Sequence, residues 1–313
     1  MRELKQNIER ILEPIDGIVS VTVRDYLTAD TIGVRPHELL PMASTCKVPV
    51  LVAAFREVEA GRLDLEERVI FTEEHRTFGS GLFNSFRDGL NPTIYDCLLM
   101  MIVVSDNAAT DVLLRKLTPE GVTRMMKELG FNNIQLDRTI QQLIRDILAA
   151  LDPRYKGIKY GEADALEEAN ADLKAISKDA IKGRVAVNAV CTDRDIATTD
   201  DLARLMDRLV RRELANPEST EAMIKILNTQ QLNGRLPRDL PQGTKLPHKT
   251  GTLGYGAVVN DIGTLYIEDE PRASIAVLSR DVKNPIHETN TALANVGLAL
   301  YEYYKNQPTE KNV

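Results

Sequence analysis

Residues 41–55, "PMASTCKVPVLVAAF", lie where the chain changes its hydrophobic pattern. Before them, apolar residues alternate in "GIVSVTVRDY" (17–26), which predicts a strand, and a second short strand is predicted near "TIGV" after a turn around "TAD". After them, apolar residues recur at helical spacing as far as about residue 235, with Gly or Pro between several segments. The stretch therefore joins a β-rich beginning to a mostly helical middle.

Strand alternation returns after "HKTG" (248–251), in "GAVVNDIGTLYI" and "ASIAVLSRD", and the chain closes with the amphipathic run "NTALANVGLALYEYYK". This order predicts an α/β (α+β) fold in which both ends of the chain build one antiparallel sheet. The N- and C-terminal helices flank that sheet, and a mostly α-helical domain is inserted. The predicted sheet domain comprises residues 1–45 and 236–313, and the predicted helical domain comprises residues 46–235.

One segment of the helical domain, residues 152–184, is rich in Lys, Glu, Asp and Ala and poor in large apolar residues. This composition predicts a solvated insertion. It fits a lid of one or two surface helices, and it also fits a surface decoration without function.

Composition limits the classes of partner. The chain has 313 residues, of which 43% are hydrophobic, enough for a substantial core. Acidic residues (46) outnumber basic residues (39), and no Lys/Arg cluster forms a phosphate-binding stripe, so we expect no nucleic acid partner. The longest apolar stretches, such as "CLLMMIVV" (97–104), are far shorter than the roughly 20 residues that span a bilayer, so no membrane span is expected.

The N-terminus and the cysteines carry weaker information. "MRELKQNIERILEP" is charged and lacks the apolar centre of a secretory signal, which leaves either a cytoplasmic protein or an exported one whose signal has been removed. Cys46, Cys97 and Cys191 leave at least one thiol unpaired and match no metal spacing, and the histidines are scattered. We therefore expect no disulfide framework, no metal site and no cofactor.

Ser44 and Lys47 are the first candidate pair. At the first turn of a helix, positions i and i+3 share a face, so Lys47 could accept the proton of Ser44 if burial lowered the pKa of its ammonium group. The apolar run after Lys47 would supply that burial. Taken alone, the pattern more often indicates a capping serine before a surface lysine.

The second candidate is "VVSDNAATDVLL", in which Ser105, Asp106 and Asn107 follow an apolar run. All three suit a helix N-cap. In a catalytic interpretation, Ser105 passes a proton to a leaving group and Asn107 hydrogen-bonds a substrate amide.

The third candidate is "PHKTGTLGYG", in which Lys249, Thr250 and Gly251 lie where a strand is expected to begin. A glycine there would let a substrate backbone approach the strand edge, and Lys249 would attract a carboxylate. The alternative is a basic edge that discourages aggregation.

The three motifs in this order resemble those of the penicillin-recognising serine enzymes, specifically the class A β-lactamases and their relatives. The resemblance covers nearly the whole chain, and "LGFNNIQLDR" (129–138) is similar to the segment before that family's omega loop. It implies that Ser44 is the acylated nucleophile and Lys47 a base or proton relay. It further implies that Ser105 protonates the departing nitrogen and that Asn107 orients the acyl side chain.

The resemblance also implies a binding site for the rest of the substrate. Lys249 and Thr250 would bind its carboxylate, and the backbone N–H groups of Ser44 and Thr252 would form the oxyanion hole. Arg235, fourteen positions before Lys249, would supply a guanidinium for the same carboxylate, a role for which Arg238 is an alternative.

The chain departs from the family pattern after "LDR". Ile140 stands where the lactamases have the glutamate that activates the deacylating water, and Ile144 stands where they have a helper asparagine. An acidic residue of the insertion could substitute, although exposed surface acids are the alternative. These candidates are Glu162, Glu167 and Glu168.

The sequence thus predicts a class A β-lactamase-like serine hydrolase that forms an acyl-enzyme at Ser44. Its substrate would be a β-lactam or a related peptide, amide or ester, and the missing glutamate puts its deacylation in doubt. Two alternatives remain. One is a D-Ala-D-Ala-type carboxypeptidase or esterase on the same scaffold, and the other is a penicillin-binding module that stays acylated.

Overall fold

The structure, a computed structural model, describes residues 1–157, 171, 180–191 and 193–307. Within these residues it contains a five-stranded antiparallel sheet in the order β2-β1-β8-β7-β6 and a small three-stranded sheet in the order β3-β5-β4. The strands are β1 (Ile18–Asp25), β2 (Thr31–Val34), β3 (Leu40–Pro41), β4 (Ile134–Gln135), β5 (Ile196–Ala197), β6 (His248–Leu253), β7 (Val258–Ile267) and β8 (Glu270–Arg280).

The helices of the described residues follow the order expected from the sequence, with most of them between the first and last strands of the large sheet. They are α1 (Arg2–Leu12), α2 (Lys47–Glu59), α3 (Ile94–Val103), α4 (Asn107–Leu117), α5 (Pro119–Glu128), α6 (Ile140–Leu151), α7 (Ala180–Val190), α8 (Thr199–Val210), α9 (Pro217–Asn228) and α10 (Ile286–Tyr304). The mixed fold with its antiparallel sheet is the predicted one.

Alternation along β1 explains how the large sheet is covered on both faces. Val19, Val21 and Val23 belong to one apolar cluster with the buried residues of α1 and α10. On the opposite face, the Ser20 and Thr22 hydroxyls lie 2.7 and 2.8 Å from the Thr199 hydroxyl at the start of α8. The terminal helices therefore pack on one face, and the other face is joined to the helical part of the chain.

Helix α2 belongs to a second apolar cluster, separate from the one that α1 and α10 form with the large sheet. Every residue from Lys47 to Phe55 is buried, so this helix is enclosed on all sides at its N-terminal end. Pro49 is its third residue, where no intrahelical N–H bond is lost. The apolar run after Ser44 is thus a core helix, and Lys47 is buried at its first position.

The small sheet joins distant parts of the chain. Strand β5 pairs with β3, which precedes Ser44, and with β4, which precedes Arg138. Next to it, the Arg138 Nε donates to Asp195 Oδ2 at 2.6 Å, and both side chains are nearly fully buried. This ion pair clasps the two ends of the segment 139–194. The division of the chain into domains at residues 45/46 and 235/236 remains a prediction.

Other expectations concern membranes and cysteines. None of the helices in the described ranges combines the length and hydropathy needed to cross a bilayer. Cys46, Cys97 and Cys191 are all buried free thiols. Of the insertion predicted at 152–184, the greater part, including Glu162, Glu167 and Glu168, lies outside the described residues.

Candidate active site

Ser44 lies in a 3-10 turn, Ala43–Cys46, that runs directly into α2. The preceding residue, Ala43, has a left-handed backbone with φ of 48°, a conformation that costs free energy in any residue with a Cβ. The side chain of Ser44 is partly exposed to a cleft of about 240 Å³. The turn therefore presents the hydroxyl to an open space at the N-terminus of a buried helix.

Lys47 points from the first position of α2 towards the end of α3. Its Nζ donates to Ser105 O at 2.8 Å, to Ser105 Oγ at 3.0 Å and to Asn107 Oδ1 at 2.8 Å. Burial lowers the pKa of Lys47 from 10.5 to about 8. Among the described residues, Lys47 makes no hydrogen bond to Ser44, so the three protons of its charged form are used by Ser105 and Asn107.

Ser105 lies in the break between α3 and α4, with φ of 56°. Its Oγ accepts from Lys47 and also from Lys249 Nζ, at 3.0 Å in each case. Burial, followed by the charge of Lys47, lowers the pKa of Lys249 well below its usual value. Ser105 therefore connects Lys47 of the first motif with Lys249 of the third.

Asp106 and Asn107 hold a loop over this break. Asp106 caps α4 by accepting from Ala109 N at 3.0 Å, and its second oxygen accepts from the backbone of Leu82 and Phe83. Asn107 accepts from Lys47 and donates to Phe78 O at 2.9 Å. Asp106 is thus an N-cap, as one interpretation of the motif expected, whereas Asn107 reaches the cleft.

Strand β6 forms the edge of the large sheet beside the Ser44 turn. A Cβ on Gly251 would lie 2.9 Å from Met42 O and 3.1 Å from Ser44 N, so glycine permits this close approach. Thr250 and Thr252 line the cleft next to Ser44. Lys249 is instead fully buried, and its Nζ donates to Thr250 O at 2.8 Å as well as to Ser105 Oγ.

Arg235 and Arg238, which the sequence could not separate, occupy different surroundings. Arg235 is 6% exposed and donates to Gly251 O at 2.7 Å and to Thr252 Oγ1 at 2.5 Å. Arg238 is paired with Asp239 at 2.7 Å on the surface. The guanidinium next to β6 is therefore that of Arg235.

The wall of the cleft opposite β6 is formed by the first turn and a half of α6. Ile140, Leu143 and Ile144 line it. That Ile140 stands where the lactamases have a glutamate remains a prediction. The acidic group at this helix start is Asp111, which accepts from Ile140 N at 2.7 Å and Gln141 N at 2.8 Å. Burial raises the pKa of Asp111 to about 6.

Sequence reasoning missed three polar contributors to the site. Ser80 lines the cleft and donates to Ser105 O at 2.8 Å, Asp111 caps α6, and His248 contacts Asp261 at 2.8 Å immediately before Lys249. Asp111 carried a usable signal, since it is a lone carboxylate among apolar residues of α4. Ser80 carried none, because its place depends on the path of a loop.

These elements define the architecture of class A β-lactamase structures, with an α/β fold and a serine on the turn before the buried helix. Residues 3–304 match the model of the beta-lactamase enzyme family, and the chain belongs to this family of serine hydrolases.

Individual relatives agree with this assignment. Beta-lactamase SME-1 of Serratia marcescens is 27% identical over 192 residues, which are 59% of this chain and 64% of the relative. A β-lactamase structure from Sphaerobacter thermophilus DSM 20745 superposes with a TM-score of 0.75 at 24% identity, covering 98% of each chain. A mutant of PBP-A, solved as an acyl-enzyme complex with penicillin G, gives a TM-score of 0.74 at 20% identity, also covering 98% of each chain.

Proposed function

We propose that this protein is a β-lactam-reactive serine enzyme that is acylated at Ser44 and releases its acyl group slowly. The observation that carries the proposal is the combination of two features around one cleft. Ser44 opens into it beside the linked side chains of Lys47, Ser105 and Lys249, while Ile140 and Ile144 occupy the wall from which a carboxylate would activate water.

The acylation step depends on the protonation state of Lys47, because only its neutral amine can accept a proton. Its lowered pKa gives a neutral fraction near pH 8 that can take the Ser44 proton as Oγ attacks the carbonyl carbon. The Ser44 Oγ–C bond forms and the C–N bond of the lactam breaks. The proton passes from Lys47 through Ser105 to the departing nitrogen, along the contact of 3.0 Å between the two side chains.

The substrate carbonyl and carboxylate are assigned to the β6 side of the cleft. The backbone N–H groups of Ser44 and Thr252 would stabilise the oxyanion, because the close approach at Gly251 brings β6 alongside the Ser44 turn. Thr250 and Thr252 would bind a carboxylate directly. Arg235 would hold that strand and make its potential positive, and Lys249 would hold it through Thr250 O.

Deacylation needs a base next to the ester, and the cleft offers none of the usual kind. None of the described residues that line it is acidic. Asp111 lies next to the start of α6, but its carboxylate already accepts from two backbone N–H groups and from Thr77 Oγ1 at 3.0 Å. A water over the ester would therefore lack an activating carboxylate.

Intact-protein mass spectrometry after incubation with benzylpenicillin tests the proposal. Because ring opening keeps the departing nitrogen in the adduct, the mass should rise by that of the whole penicillin and stay raised after removal of free drug. Ser44→Ala should abolish the adduct, whereas Ser85→Ala, an exposed serine in another 3-10 turn, should keep it. An adduct on another serine in Ser44→Ala would refute the assignment.

The non-turnover alternative, a penicillin-binding module, is the second candidate, and the apolar wall favours it. A chromogenic cephalosporin separates the two. A burst of one equivalent followed by a plateau supports the binding module, whereas a burst followed by steady slow release supports the enzyme. Turnover of D-peptides or esters in preference to β-lactams would instead support the carboxypeptidase or esterase alternative.

A further inference from the structure

The cleft beside Ser44 has one polar side and one apolar side. We infer that the apolar side is a binding site for a hydrophobic acyl group, so that the preferred acyl donors carry an unbranched aliphatic or similarly apolar chain next to the reacting carbonyl. This inference rests on the proposed acylation of Ser44 and names the substrate class of that same site.

The apolar side is continuous across separate elements. Ile140, Leu143 and Ile144 lie at positions i, i+3 and i+4 of α6 and so share one helix face. Leu253, at the end of β6, and Leu232, in the segment between α9 and β6, complete the lining. These side chains come from three places in the chain, yet all line the same space.

The apolar surface begins at the nucleophile itself. Leu143 belongs to a buried apolar cluster with Ala43, the residue before Ser44, and with Val258 at the start of β7. The same cluster includes Ala186 and Val187 of α7. An acyl chain attached to Ser44 would therefore contact apolar groups from its first carbons onward.

The wall is anchored at the start of α6 by two sets of contacts. The start of α6 is capped by Asp111, and Arg138, two residues before the helix, is held by Asp195 and by Asp146 at 2.7 Å. A wall fixed in this way offers a site that exists before the ligand binds, which reduces the ordering cost of binding.

The cleft is open to a ligand and has a limited volume. Leu232 is 44% exposed and Ile144 is only partly buried, so their apolar surfaces remain available. The volume of about 240 Å³ lies below the range of roughly 300–1,000 Å³ of sites for drug-sized ligands. Because the polar side must also hold the carbonyl, the apolar side suits a single short or medium chain.

A series of p-nitrophenyl esters tests this inference. Attack by Ser44 Oγ forms the acyl-enzyme, breaks the C–O bond and releases p-nitrophenolate, whose absorbance reports the burst. Each methylene that becomes buried should increase the second-order acylation rate constant by about four-fold. We expect this increase from acetyl through butyryl to hexanoyl, with a plateau or decline at octanoyl once the cleft is filled.

Variants separate the apolar side from a general effect of ester hydrophobicity. Leu232→Ser and Ile144→Thr should flatten the dependence on chain length, measured as the ratio of the hexanoyl to the acetyl rate constant, because a longer chain loses more apolar contact. Leu27→Ser is the matched control. Leu27 is 37% exposed in the turn between β1 and β2, at the opposite edge of the sheet, and its variant should keep the full dependence.

The outcomes distinguish this inference from the proposed function. Two outcomes would overturn the apolar site and leave the acyl-enzyme proposal standing. One is acylation of Ser44 at rates that do not depend on chain length. The other is the same dependence on chain length in Leu232→Ser, Ile144→Thr and the unmodified protein. If neither the acetyl ester nor benzylpenicillin acylates Ser44, the proposed function fails and this inference fails with it.

Discussion

Ser105 accepts hydrogen bonds from two buried lysines, and this contact constrains the charge of the whole site. Two ammonium groups at 3.0 Å from one oxygen, away from solvent, repel each other, and burial disfavours both charges. Burial lowers the pKa of both lysines, and the charge of Lys47 lowers that of Lys249 further. A neutral amine at Lys47 is therefore attainable near pH 8, which is what a proton acceptor for Ser44 requires.

Removal of Lys47 should slow acylation strongly. We expect Lys47→Ala to lower the second-order rate constant for penicillin acylation by about 10²- to 10⁴-fold, the usual effect of losing a general base. Stopped-flow measurement with a chromogenic cephalosporin gives this constant. Lys116→Ala, which removes a lysine paired with Glu67 at 2.6 Å on the surface, is the control and should retain the full rate. A loss of less than about five-fold in Lys47→Ala would exclude Lys47 as the base.

The acylation rate should also rise with pH through the pKa of Lys47. Only the neutral amine accepts a proton, so the rate should fall about tenfold for each pH unit below about 8 and level off above it. Asp111, with a pKa raised to about 6, titrates below this range and does not produce the same limb. Pre-steady-state rates at constant ionic strength measure the profile. A flat profile between about pH 6.5 and 9 would contradict a lysine base.

At the scale of the element, α6 would decide what happens after the proposed acylation. Its first turn is fixed by Asp111 and by the capping box between Thr139 and Gln142. The residue presented to the cleft from that turn is Ile140. A branched alkyl group accepts no proton, so in the proposed acyl-enzyme this helix turn would cover the ester without activating water.

Placing a carboxylate on this turn should shorten the life of the adduct. We expect Ile140→Glu to accelerate loss of the penicilloyl group by at least tenfold, followed as the decay of adduct mass with time. Gln142→Glu is a matched control. It adds the same charge to the same helix turn, where negative charge is favourable, but on an exposed side chain outside the cleft. Equal decay in both variants would show that charge alone, and not a positioned base, is responsible.

Helices and strands long enough to repeat their hydrophobic pattern several times were predictable from the sequence, and very short strands were not. Strand β1, helix α2 and the strands after Lys249 were evident from alternation or helical spacing because each extends over many residues. Strands β3, β4 and β5 have two residues each, too few for any period, and exist only through their pairing.

The candidate site divides in the same way. The residue types and order of the motifs identified Ser44, Lys47, Ser105 and Lys249, which the structure brings together. The choice between Arg235 and Arg238 depends on which side of a turn faces β6, and local sequence does not encode it. The roles of all these residues stay predictions.

For the whole molecule, the site depends on how distant segments are held together. The small sheet and the ion pair of Arg138 with Asp195 close the ends of the segment 139–194, which carries α6 to the cleft. Asp195 also accepts from the backbone N–H groups of Asp137 and Arg138. The ion pair of Arg138 with Asp195 therefore contributes both to the stability of the fold and to the shape of the apolar wall.

Breaking this clasp should cost stability and disturb the site together. In Arg138→Ala the Asp195 carboxylate remains buried without its cation, and losing one partner of a buried pair typically lowers the free energy of unfolding by about 3–5 kcal/mol. Urea unfolding measures the change. Lys245→Ala breaks an exposed pair with Asp269 and should cost only about 0–1 kcal/mol.

The double variant Arg138→Ala with Asp195→Asn removes the stranded charge as well as its partner. It should recover part of the lost stability, since the neutral amide can still accept from the backbone of Asp137. The acylation rate with longer acyl esters, measured at a temperature where each variant is folded, should fall in Arg138→Ala because Asp195 no longer holds the side chain that precedes α6. Stability lost to the same small extent in Arg138→Ala and Lys245→Ala would mean that the clasp does not hold the segment.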